Sequence, residues 1–283
     1  MIRPVAASAI APSARPARRS LPVAKSWLLA LLLLGGCANL TALGGLSATE
    51  QTSLDNRLAL ALRYIEAGNR DMANIHLRKA AEIAPQAAEL HHAYALLYQM
   101  EGDSELAGQF FQRALQARPD YTLAHYNYGA LHYRRGDVAA ARSHMLIASG
   151  DLASERRPQA LYILGLCEHQ LGDRSAALAA YQRAVQLAPQ LAPAYLAAAQ
   201  VLFEQRQWQP ALAQLQRYEQ LAAPTASSLW LEVQLAALLD EPDLFASASM
   251  ALRNLFPNSP QTESLRQRFG AERAVLQESS DVQ

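Results

Sequence analysis

The chain has 283 residues, 51% hydrophobic but only 7% aromatic, with 25 basic residues against 25 acidic ones. That is enough apolar material for a sizeable core built mainly of Ala and Leu, and the abundance of Ala, Leu, Gln and Arg over Val and Thr indicates an all-α protein. The even charge balance hides an asymmetry: residues 1–36 hold five basic side chains (Arg3, Arg15, Arg18, Arg19, Lys25) and no acidic one, so the rest of the chain carries a net charge of −5. A mildly acidic domain excludes the electrostatic footprint of a nucleic-acid binder.

The basic leader, rich in Ala, Pro and Ser, runs into Trp27-Leu28-Leu29-Ala30-Leu31-Leu32-Leu33-Leu34 and then Gly35-Gly36-Cys37. A charged start, a short apolar run and small residues before a cut describe an export signal. Eight apolar residues are too few to cross a bilayer core about 30 Å thick, which takes about 20 in a helix. The leader is long for such a signal, and the segment from Val23 onward suffices by itself, which suggests translation starting near Leu21 or Val23. Arg18-Arg19 resembles a twin-arginine signal in the pair alone; its flanks do not match.

Leu34-Gly35-Gly36-Cys37 resembles the lipobox of bacterial lipoproteins. The resemblance implies a signal peptide over 1–36, diacylglyceryl transfer to the Cys37 thiol, cleavage before it and acylation of the new amino terminus. Several acyl chains anchor firmly where a single one is marginal. Ala38, not Asp, follows the cysteine, which under the sorting rule of such lipoproteins points to the outer membrane. Residues 37–50, with Gly44-Gly45, read as a lipidated flexible tether.

From residue 54 the chain repeats itself. Residues 88–121 show the unit: a first helix with Leu90, Tyr94, Ala95, Leu97 and Tyr98 apolar, a break at Gly102-Asp103, and a second helix with Leu106, Ala107, Phe110, Phe111, Ala114 and Leu115 on one face, closed before Pro119. Gly68, Gly102, Gly136 and Gly172 mark the turns, each followed by Asn or Asp to cap the next helix. Five residues beyond each glycine stand Ala73, Ala107, Ala141 and Ala177; twelve beyond stand Ala80, Ala114, Ala148 and Ala184. Ala61, Ala95, Gly129 and Gly165 on the first helices admit the second helices closely.

These residues resemble the tetratricopeptide repeat, whose period is about 34 residues. The resemblance implies an all-α right-handed superhelix of about six helix-turn-helix repeats, placed here at 54–87, 88–121, 122–155, 158–191, 192–225 and a degenerate 226–259, with a concave groove. Repeat three lacks a closing proline and carries two extra residues before Pro158, so the loop Ser154-Glu155-Arg156-Arg157 should bulge. Arg206 stands where glycine is expected, and repeat six replaces the Gly-Asp turn by Asp240-Glu241-Pro242. Residues 260–283 read as a final polar helix over 261–278, followed by a tail.

Seven histidines raise a metal site, yet no close His/Cys/Asp cluster has ligand spacing and no H-E-x-x-H occurs. His91 and His125 recur at one repeat position, with His132 on the face of His125, and read as packing groups between paired helices. Cys167 reads as a buried, inert thiol, with reactive or intermolecular roles as the alternative. No catalytic residue, metal, cofactor or small-molecule substrate is expected.

In this register the first-helix positions facing the groove are Leu58, Leu62 and Ile65; His92, Leu96 and Gln99; Tyr126, Ala130 and Tyr133; Tyr162, Leu166 and His169; and Leu196, Gln200 and Phe203. The Lys, Arg and Asn that grip a peptide's terminal carboxylate in other repeat grooves are missing there. The lining suits a hydrophobic partner segment, or else fills the interior of a tight superhelix.

The lipobox, tether and six repeats, with HHAYALLYQMEGDSELAGQFFQRAL, HYNYGALHYRRGD, LYILGLCEHQLGD and SSLWLEVQLAALLDEPD, resemble the type IV pilus biogenesis/stability lipoproteins, the pilotins of the pilus secretin, over about residues 37–260. The resemblance implies a non-catalytic protein on the periplasmic face of the outer membrane, held by acyl chains on Cys37, that binds secretin subunits and promotes their localisation and multimerisation. A general envelope scaffold serving outer-membrane protein assembly or peptidoglycan synthases shares the same features.

Overall fold

Where a chain alternates 13-residue amphipathic stretches with Gly-Asp breaks, each stretch closes as a helix and folds back on its neighbour. The computed structural model describes residues 45–269, which hold thirteen helices and no strand. They are α1 (Ala48–Glu66), α2 (Arg70–Ile83), α3 (Ala88–Met100), α4 (Ser104–Ala117), α5 (Thr122–Arg134), α6 (Val138–Gly150), α7 (Arg157–Gln170), α8 (Arg174–Leu187), α9 (Ala192–Glu204), α10 (Trp208–Glu219), α11 (Ala226–Leu239), α12 (Pro242–Leu255) and α13 (260–269). The chain divides into Met1–Thr49 and Glu50–Gln283. Of the first part only 45–49 are described, irregular to 47 and helical from Ala48; the packing below lies within the second. The signal peptide, Cys37 and the tail lie outside the described residues.

The helices pack in chain order, and two features mark the ends of the array. First, α1 begins at Ala48, so the last residues of the expected tether are helical; Glu50 suits the positive end of the helix dipole, and Gln51 donates to Asp55 at 2.9 Å. Second, α13 is not merely polar. It buries Thr262 and Leu265, sets Phe269 5.1 Å from Phe245 between ring centroids, and donates from the Thr262 hydroxyl to the Phe256 carbonyl at 2.7 Å.

Each turn between paired helices is built alike. Gly68, Gly102, Gly136 and Gly172 take φ between 69° and 91°, the left-handed region open to glycine. Asn69, Asp103, Asp137 and Asp173 then accept from the backbone N–H three residues on. Repeat five keeps this backbone without the sequence: Arg206 adopts φ 61°, and Gln207 gives no side-chain cap. In repeat six, where the Gly-Asp pair is missing, Asp240 takes φ 57° and keeps the left-handed turn, because Asp enters this region more readily than most side chains.

Inside each pair one large and one small residue meet. Leu77, Phe111, Met145, Tyr181 and Leu215 hold the same place on successive second helices, and each is fully buried. Their counterparts on the first helices are Ala61, Ala95, Gly129, Gly165 and Ala199, also buried. Glycine appears in the pairs with Met145 and Tyr181. A Cβ on Gly165 would lie 2.6 Å from Tyr181 Cδ1, and one on Gly129 would lie 3.0 Å from Met145 Cε. Repeat six inverts the arrangement, with Val233 at the small place and Ser249 at the large one. Between repeats, aromatic stacking helps: Phe111 on α4 lies 5.5 Å from Tyr128 on α5.

Two substitutions test this frame by urea unfolding. Arg206→Gly should stabilise the protein by about 0.5–1 kcal/mol, since it removes a side chain from a left-handed backbone; no gain would show that the turn carries no strain. Gly165→Ala should destabilise by about 1–3 kcal/mol through overpacking against Tyr181, and an unchanged midpoint would show that the ring moves freely.

Candidate functional site

The first helices of repeats one to three, together with Arg156, enclose a concavity of about 530 Å³. Its wall is made by the last turns of α1 (Leu62, Ile65, Glu66), by α3 (His92, Leu96, Gln99, Met100), by the first turns of α5 (Leu123, Tyr126, Asn127) and by Arg156 from the connection before α7. Six of the sequence-expected positions, Leu62, Ile65, His92, Leu96, Gln99 and Tyr126, therefore share one cavity. Leu62, Leu96 and Tyr126 are half-buried and present apolar surface to it.

Other candidates stand elsewhere. Leu58 is 7% exposed and packs in the core of repeats one and two with Leu54, Ala61 and Leu77, so it is a core residue and not a groove contact. His92 is 2% exposed and offers a partner little more than an edge. Tyr133 and Tyr162 are half-buried neighbours, and Gln170 donates to the Tyr133 hydroxyl at 3.4 Å. Ala130 packs against the core of Met145 and Leu164, and Leu166 packs against that of Tyr181 and Val201. Leu196 and Phe203 pack against the core around Leu202 and Leu231, and Gln200 is exposed.

His169 is engaged by Glu204 at 3.0 Å, and Arg174 donates to the same carboxylate at 2.8 Å, tying repeat four to repeat five. Burial alone would raise the Glu204 carboxyl, but hydrogen bonds from Arg174 and His169 outweigh it and hold the group below its usual range.

Arg156 was not among the expected groove residues. It enters from the connection 151–156, two residues longer than 118–121 or 188–191. The extra length was legible in the sequence; that it carries a cation to the groove was not, because the register covers only first-helix positions. Arg156 and Leu123 also border a second concavity of about 660 Å³, with Arg118, Asp120, Asp151 and Glu155 on its wall.

The histidines make a hydrogen-bonded wall. His125 Nε2 lies 2.8 Å from the Pro119 carbonyl, which can only accept, so Nε2 carries the proton. His125 Nδ1 then accepts from His144 Nδ1 at 2.9 Å across α5 and α6. Burial first, and the neighbouring His125 and His132 next, push His144 down to about 4. Among the described residues no group of three His, Cys, Asp or Glu side chains can hold a metal ion. Cys167 is fully buried, and burial, reinforced by Glu168, pushes its thiol up to about 11, which leaves it unreactive at neutral pH. No described helix is long and apolar enough to cross a membrane.

His92 joins repeats two and three. Its Nε2 accepts from Asn127 Nδ2 at 2.8 Å, and burial, with Arg118 adding to it, lowers its pKa to about 4. A depressed imidazole contributes stability above the unfolded value of 6.5, lost as pH falls toward 4, about 3 kcal/mol in all. Glu232 acts oppositely: burial and the adjacent Glu219 raise it to about 7, so it loses stability as pH rises from 4.5 to 7. The informative quantity is therefore a difference. Thermal melts between pH 7 and 4 should fall more steeply for the native chain than for His92→Gln; parallel curves would mean that His92 takes up its proton as readily in the fold as in the unfolded chain.

Tetratricopeptide-repeat family models match residues 88–121 and 158–191, the second and fourth helix pairs. The type IV pilus assembly protein PilF of Pseudomonas aeruginosa is 29% identical over 205 residues, 72% of this chain and 81% of PilF. The solved structure of P. aeruginosa PilF superposes with a TM-score of 0.72 at 27% identity, over 77% of this chain and 99% of that one. PilW, described as a widely conserved type IV pilus biogenesis factor, shares the fold with a TM-score of 0.63 at 22% identity, over 75% of this chain and 97% of its own. YrrB, a repeat protein described as having an unusual peptide-binding site, does so at 0.59 and 18%, over 68% of this chain and 97% of its own. Its helix pairs, their period and the span of these matches make the chain a tetratricopeptide-repeat protein of superhelical fold, homologous to PilF.

Proposed function

We propose that this chain acts in type IV pilus biogenesis as an outer-membrane lipoprotein that binds secretin subunits and promotes their localisation and multimerisation. The observation that carries the reading is the relationship to PilF, which spans 205 residues, 72% of this chain, and so reaches well beyond one or two repeats. The mechanism needs no bond to be made or broken in the partner. Acyl chains on Cys37 would fix the protein to the periplasmic face of the outer membrane, since several chains anchor where one does not. The groove would then hold an apolar segment of a subunit close to the bilayer it must enter, at a local concentration far above that in free solution.

Its apolar lining supports a hydrophobic segment as the thing held. Leu62, Leu96, Tyr126, Tyr133, Tyr162, Leu166, Leu196 and Phe203 are the contact candidates that keep exposed surface. No cofactor, metal, nucleic acid or small-molecule substrate enters this account.

A deletion strain should lose twitching motility and secretin multimers. Cys37→Ala should leave a folded protein free in the periplasm and the secretin mislocated. Tyr126→Glu combined with Tyr162→Glu should keep the protein in the membrane yet recover at least tenfold less secretin from detergent extracts. Secretin recovery unchanged by the double substitution would move the site off the groove, and recovery of cell-wall enzymes alone would favour a general scaffold.

A further inference from the structure

We infer that the groove is directional, an apolar floor between unlike charges, and selects an apolar peptide segment carrying a carboxylate at the end seated by Arg156. This rests on the reading that the groove holds a protein segment, but not on that segment belonging to a secretin. The floor between α1 and α5 is apolar at Leu62, Ile65, Leu96 and Tyr126, and two formal charges border it: Glu66 in the last turn of α1 and Arg156 before α7. Among the described residues neither side chain is in an ion pair or hydrogen bond, whereas Arg70, Arg118, Arg142 and Arg174 each have a carboxylate partner. Both charges therefore stay available to a ligand.

Glu66 belongs to repeat one and Arg156 to the connection into repeat four, so in the order of the repeats they stand at the two ends of the lining, and a segment laid along that order can match both in only one direction. Its acidic end meets the guanidinium, and a neutral or basic end meets Glu66. Beyond Arg156, the second concavity presents Asp120, Asp151 and Glu155, while its Arg118 is already paired with Glu89. An acidic tract longer than one or two residues would be repelled there, so the carboxylate stops at Arg156. Such edge charges set direction and choice of partner more than total affinity. Of the Lys, Arg and Asn that grip a carboxylate in other repeat grooves, the first helices bring only Asn127 to this cavity, and its amide is given to His92; an inserted connection supplies the cation instead.

Random dodecapeptides displayed on phage, selected on the full-length chain in detergent micelles, test this directly. Enriched peptides should carry an Asp or Glu on one side of two or more large apolar residues. Synthetic copies should bind Arg156→Glu about tenfold more weakly, with the difference shrinking in 0.5 M NaCl, and a copy with Lys in place of the acid should recover binding to that variant. No enrichment, enrichment without an acidic bias, or equal binding by Arg156→Glu overturns the inference. Secretin recovery is read in parallel: if it depends on Tyr126 and not on Arg156, the groove reading survives and this inference fails; if no secretin is recovered while the peptides behave as stated, the reverse holds.

Discussion

The close approach of a small residue on each first helix to a large one on each second helix is the contact on which the rest of the molecule depends. A helix pair can bury its apolar face only if the two backbones come near enough for one side chain to fill the space between them. The chain satisfies this with Ala opposite Leu or Phe and with Gly opposite Met145 or Tyr181, a matching of volumes that keeps packing dense while the residues change. Since every pair settles at a similar spacing, the first helices fall into register, and the groove between them is a product of that register. Its walls are the faces that the pair contact leaves over.

Register also explains how a groove with an apolar floor comes to have charged ends. Core positions recur every 34 residues because packing demands it, but the connections between repeats answer to no such demand and can vary. The one between α6 and α7 is two residues longer than its neighbours at 118–121 and 188–191, and it brings Arg156 to a cavity whose other walls come from repeats one to three. The histidines show the complementary case. His92, His125 and His144 are polar groups taken into the stack; burial holds His92 and His144 well below the usual imidazole range, and each of the three has a hydrogen-bond partner on a neighbouring segment. They hold neighbouring helices together and leave the groove largely apolar.

Most of the frame was legible in the sequence because it rests on local chemistry. Gly-Asp pairs announce the turns, alanines at fixed offsets announce the close contacts, and both lie where the structure puts them. What escaped the sequence depends on neighbours. Arg206 and Asp240 hold the glycine conformation because the flanking helices dictate the turn. Leu58 follows the groove spacing yet packs in the core with Leu54, Ala61 and Leu77, among residues of α2 and α3. Ser249 and Val233 trade large for small, which a search for recurring alanines passes over. Arg156 could be seen to lie in a bulge, but its destination is a matter of three-dimensional arrangement.

The central claim is that the first-helix groove is the working surface of the stack. Hydrogen–deuterium exchange of the full-length chain, with and without detergent-solubilised secretin, tests it most directly. On this account added protection falls on the last turns of α1, on α3 and on the first turns of α5, and the second helices are unchanged. Protection confined to the outer faces of the second helices, or none at all, would contradict it.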